Sequence, residues 1–94
     1  MYPAAYRADS GLIQALTKAI NGEYGAILCY EQLAKMAPNE EERKQILEIR
    51  NDEIKHFHAF SHLYTALTGK QPVPQIMESC PTSYVPGLHF AFKD

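Results

Sequence analysis

A chain of 94 residues, 46% of them hydrophobic, suffices for one small domain with a modest core, or for half of something larger. The formal net charge of −2 comes with mixed signs and no basic block, which argues against a nucleic-acid surface or a polybasic membrane surface. No window approaches the roughly 18 apolar residues of a membrane span, and MYPAAYRADSG lacks the unbroken apolar run of a secretory leader, so a cytoplasmic protein is expected.

Residues 1–9 read as an aromatic, proline-containing lead-in. A first helix is expected over 10–37, with Asp9 or Ser10 as the N-cap. Gly22 and Gly25 lie inside it, each costing roughly 1 kcal/mol of helix stability unless close packing needs them. Pro38-Asn39 is a break, and Asn39 caps a second helix whose first turn carries Glu40, Glu41 and Glu42, where carboxylates suit the helix dipole. That helix is expected over 40–68, with Gly69 as its C′ residue and Pro72 beyond. Residues 70–94 hold four prolines and no sustained helical period, so they are expected to be an extended tail, or a linker toward a missing second helical pair. The cluster Tyr84, Leu88, Phe90 and Phe92 is expected to pack on a neighbouring helix.

Cys29 and Cys80 are far apart and form no C-x-x-C pair, which disfavours a zinc ribbon, a rubredoxin-type iron site or a disulfide framework. Cys29, in an apolar helical stretch, reads as a small core residue.

A short break between two helices of about 42 Å makes them an antiparallel hairpin over 10–69. Its two wide apolar faces cannot both be buried against each other, so two more helices are needed, from another copy or from further sequence. The fold class is therefore all-α, a long helical hairpin completed into a four-helix bundle by dimerisation.

The seams of the two helices carry the chemistry. The first runs Ile13, Leu16, Ile20, Glu23, Ile27, Tyr30, Ala34; the second runs Ile46, Ile49, Glu53, His56, Phe60, Leu63, Leu67. If the chain turns near residues 38 and 39, Glu23 lies level with about position 54, so three ionisable side chains converge at one height. Burying bare carboxylates costs several kcal/mol, and two together also repel. A divalent metal offsets this, because carboxylate oxygens and a neutral imidazole are its ligands, and Glu53 and His56, at i and i+3, point to the same side. Two such hairpins related by a two-fold axis supply four Glu and two His, the ligand set of di-iron carboxylate bundles. The competing reading is a salt-bridge cluster, with Glu23 or Glu53 paired to Arg50 or Lys55. Glu31, Glu48, Asp52 and Lys55 read as surface charge, and His58 and His62 as an exposed polar face. Tyr30, a heptad after Glu23, is either a hydrogen-bonding or redox neighbour of the site or a core tyrosine with its hydroxyl satisfied.

INGEYGAILCYEQLA followed by EIRNDEIKHFHAF resembles the first helical pair of rubrerythrin-like proteins in the ferritin-like superfamily, over about residues 10–69. The resemblance rests on Glu23, Glu53 and His56, with Arg50-Asn51-Asp52 before the motif. It implies a non-haem di-iron centre, two ions shared between two hairpins, that oxidises Fe(II) with peroxide or dioxygen. Zinc or manganese are further metals that such ligands accept. By position, Glu23, Glu53 and His56 would be the iron ligands and the catalytic residues, in an oxidative-stress or iron-handling role. Full rubrerythrin-like bundles carry four helices in one chain, whereas this sequence stops at HFAFKD, where a third helix would start. A truncation is one explanation; a two-helix protein resembling encapsulated ferritins, an iron-storage ferroxidase with its site between chains, is the other. Both imply a homodimer or higher homo-oligomer, with no nucleic-acid or membrane partner. A reading from a different class is a metal-free helical-hairpin interaction module whose polar residues only fix register.

Overall fold

The computed structural model describes residues 10–92. It contains three helices, and no strand among the described residues: α1 Ser10–Met36, α2 Glu40–Thr68 and α3 Tyr84–Ala91. The molecule is a rod of 56 × 20 × 19 Å.

Local signals set the helix ends. The Asn39 side chain accepts from the Glu42 N–H at 2.9 Å and its amide donates to the Glu42 carboxylate at 3.2 Å, a reciprocal cap that starts α2 at Glu40, four residues after α1 ends at Met36. Gly69 stops α2 with φ 74°, the left-handed conformation that glycine adopts without a Cβ penalty, and its N–H donates to the Thr65 carbonyl at 2.8 Å.

From Gly69 the chain turns back and travels the length of α1. The Gln75 N–H donates to the Asn21 side chain at 2.9 Å, and Gln32 donates to the Pro81 carbonyl at 3.1 Å, which marks the path. This connector carries the chain from the far end of the hairpin to the end where α1 meets α2. There Tyr84 donates to Glu42 at 2.8 Å and α3 begins, antiparallel to α1. A long crossover of this kind is the connection that ferritin-like bundles use.

The helix at Tyr84–Ala91 corrects the expectation of an extended tail through residue 94. Pro86 falls in its first turn, where a missing N–H costs nothing, and the rest of the segment folds because it docks. Gly87 is buried against α1, and a Cβ there would collide with Leu33 Cδ2. Glycine is what lets the two helices approach this closely.

The largest buried cluster sits at the turn end: Cys29, Tyr30, Leu33, Ala34 and Ile46, with Tyr84, Leu88 and Phe90 of the docked segment packed on it, while Leu16 and Ile20 are buried farther along α1. Phe92 lies edge-on to Tyr30, with ring centroids 5.7 Å apart. Cys29 and Cys80 form a disulfide with a Cα–Cα distance of 5.3 Å. This corrects the expectation that the wide spacing of the two cysteines disfavours a disulfide framework. Cys29 is a core residue, but a cross-linked one, and the crossover is what brings Cys80 beside it. Among the described residues no helix is long and apolar enough to cross a membrane.

Candidate metal centre

Glu23 comes from the middle of α1, and Glu53 and His56 from the facing turns of α2. One ligating atom from each lies within 4.8 Å of the others. His56 Nδ1 is 3.6 Å from Glu23 Oε2 and 3.9 Å from Glu53 Oε2. Helix periodicity explains the convergence: Glu53 and His56 are neighbours at i and i+3, and the antiparallel register places Glu23 opposite both.

The three are not equally enclosed. The carboxylate side chains are 17% and 23% exposed for Glu23 and Glu53, but the His56 side chain is 56% exposed. The expected meeting inside a bundle is thus a meeting at the rim of an open groove. Among the described residues the flank of α2 that carries His56 is not covered by another helix, so His56 faces outward. The groove measures about 820 Å³ and is lined by Gly22, Glu23, Ala26, Glu53 and Phe60, with Phe90 of α3 on its other wall. Leu63, expected on the inner seam, is 44% exposed on the same unpartnered side of the hairpin.

The neighbouring charges settle elsewhere. Arg50, a candidate partner of the site carboxylates in the salt-bridge reading, instead donates to Glu31 Oε2 at 2.8 Å. Among the described residues, the ion pairs of Glu23 and Glu53 are with His56. Two carboxylates therefore converge with one imidazole, whose charge depends on protonation, and no Lys or Arg ion pair. This donor set suits a divalent cation: hard carboxylate oxygens joined by a borderline nitrogen. Glu48, Asp52 and Lys55 are exposed, as are His58 and His62.

Tyr30 resolves toward the core. Its hydroxyl donates to the Ala91 carbonyl at 3.0 Å, and burial pushes its pKa above the usual 10.0. Tyr84 is raised in the same direction, first by burial and then by its hydrogen bond to Glu42. Both phenols thereby tie α3 to the hairpin.

The profile of the family described as Rubrerythrin matches residues 14–93. The chain belongs to the rubrerythrin family. It is 54% identical over 93 residues to the uncharacterized protein YhjR of Bacillus subtilis (strain 168), a match covering 99% of this chain and 64% of that protein. The chain thus spans just under two thirds of the length of the curated relative it matches. No solved structure matches it significantly. Rubrerythrin-family membership covers α1, α2, the connector and α3 together, so the crossover and the third helix belong to the matched region along with the hairpin.

The residues that the sequence left out are those that wall the groove from the far side. Phe90 and Ala91 reach it only because α3 is docked, and Met77 and Glu78 because the connector passes beside it. The cluster of aromatics after Pro81 signalled packing, but nothing in it indicated which cavity it would border.

Proposed function

We propose that Glu23, Glu53 and His56 form one half of a di-iron carboxylate site, and that the protein oxidises Fe(II) with peroxide or dioxygen. The observation that carries this reading is the convergence of two carboxylates and an imidazole within 4.8 Å, on the open groove of a rubrerythrin-family chain. When bound, a pair of irons supplies the two electrons that the oxidant takes up.

The chain's own groups do the rest. Glu23 and Glu53 provide the negative charge that holds a divalent ion, and His56 adds a neutral donor without further charge. Zinc or manganese satisfy the same donors. Phe60, Ala26 and Phe90 give the groove apolar walls, which lower the local dielectric and strengthen the hold of the carboxylates on a cation.

A second helical pair completes the ligand set, and another copy of this chain is its proposed source. The open space where a Cβ would stand at Gly22 and Gly25 allows a second pair to approach closely on that side. Partner mass by light scattering tests this; a monomer with a full complement of two irons would defeat it.

Anaerobic Fe(II) titration followed by air tests the chemistry. The parent should take up iron and oxidise it, while Glu53→Ala should lose at least tenfold in oxidation rate. An unchanged rate in Glu53→Ala would overturn the assignment.

A further inference from the structure

The disulfide joins the last third of α1 to the end of the connector, across a sequence separation of 51. Cys29 is wholly buried, whereas Cys80 is only half-buried and lies in a stretch without regular structure. α3 starts four residues after Cys80 and ends at the groove, where Phe90 and Ala91 form part of the wall beside Glu23 and Glu53. One covalent bond therefore anchors the segment that closes one side of the candidate metal centre.

The other ties of this segment are non-covalent. They include the Gln32 bond to Pro81, the Tyr30 bond to Ala91, the Tyr84 bond to Glu42, the ring contact of Phe92 with Tyr30 and the packing of Tyr84, Gly87, Leu88 and Phe90 on the core. A helix of eight residues containing a proline and a glycine does not stand alone in water, so α3 persists only while docked. The cross-link removes much of the entropy that undocking would release. A small element held by non-covalent contacts and one breakable bond is an element whose docking redox chemistry can bias.

We propose that Cys29 and Cys80 form a reversible redox clasp: the disulfide holds the connector and α3 across the groove, and the dithiol lets that wall lift from α1. The oxidant is a hydroperoxide. The Cys80 thiolate attacks one peroxide oxygen, the O–O bond breaks, and a sulfenic acid and one water form. Cys29 sulfur then displaces the sulfenic oxygen as a second water while the S–S bond closes. Two thiols lose two electrons and two protons, and hydrogen peroxide becomes two waters. A small dithiol reverses the step by attacking at Cys80, because Cys29 is enclosed. In a reducing compartment, redox-active pairs are the kind of disulfide that occurs. The choice of hydroperoxide rests on the proposed function; the clasp itself rests on where the disulfide sits.

Amide hydrogen exchange on the full chain tests it in three states: as the disulfide, after reduction with a phosphine, and after hydrogen peroxide is added to the reduced protein. Reduction should speed exchange at least tenfold in residues 84–91 while the turns carrying Glu23 and Glu53 keep their protection. Peroxide should restore protection as two free thiols fall to none, and should not do so in Cys29→Ser/Cys80→Ser. Equal protection in the oxidised and reduced states overturns the clasp. So does a loss spread evenly over α1 and α2, which would make the bond a staple of the whole hairpin, and the reduced parent gives this answer even if the double variant fails to fold. Anaerobic Fe(II) binding, measured in both states, separates the two claims. No iron in either state defeats the di-iron reading and leaves the clasp standing, while unchanged exchange defeats the clasp alone.

Discussion

The same two helices enclose two very different interiors. At the turn end, Cys29, Leu33 and Ile46 are shut in by α3, with Leu33 at 0% exposure beneath Gly87. Toward the middle, Glu23 and Glu53 face an open groove and His56 stands at its rim. A helical hairpin buries only one stripe of each helix, so any further closure needs a third layer. α3 supplies that layer to the apolar half and reaches the ionisable half only with its last turn. The turn end carries the larger buried cluster; the other half buries Leu16 and Ile20 but leaves the groove beside Glu23 and Glu53 open.

The contrast is sharpest in stability. Leu33→Ala removes a fully enclosed side chain from the closed half and should cost about 2–5 kcal/mol, measured by urea unfolding. If it costs under about 1 kcal/mol, the turn end is not the core. In the open half the effect should come from metal. Iron at a hundredfold excess over its dissociation constant should add about 2.7 kcal/mol to the parent, seen as a raised melting temperature that a chelator abolishes. Glu53→Leu should melt at or above the metal-free parent, because it removes a partly enclosed carboxylate, and should gain nothing from iron. A Glu53→Leu protein that melts lower and still responds to metal would contradict the site.

Smaller effects probe the junction between the halves. Gly87→Ala should cost about 1–3 kcal/mol by forcing α3 away from Leu33, whose buried position leaves it little room to yield. Near-ultraviolet circular dichroism should show the loosened aromatic packing around Tyr30 and Phe92. The mildest effect is on pH. Tyr30 and Tyr84 have pKa values raised above 10.0 in the folded protein, so their contribution is full below that value. As pH rises past it the unfolded chain loses its phenolic protons first, and stability falls until the folded-state values are passed. Tyr30→Phe/Tyr84→Phe should flatten that alkaline loss, and a parent whose stability is level from pH 9 to 12 would refute the linkage.

Much of this was open to a reader of the chain. Asn39 with Glu42, and Gly69 at the end of a periodic run, specify helix ends through bonds made within a few residues. The polar interruptions at Glu23, Glu53 and His56 stood out because everything else on their seams is apolar, and a tight turn fixes the height at which they meet. Arg50 was less legible: Glu23, Glu31 and Glu53 were all within reach of a long side chain, and the packed geometry selected Glu31.

What the sequence determined by itself was therefore local: helical periodicity, caps, a break that folds the two helices back to back, and three ionisable groups placed at one level. Only the tertiary structure decided the path of the connector, and with it the pairing of Cys80 with Cys29, the helix at Tyr84–Ala91 and the second wall of the groove. The physical reason is range. Periodicity and capping act over one or two turns of helix, whereas the disulfide and α3 depend on contacts between segments some fifty residues apart, which exist only once the crossover has brought them together.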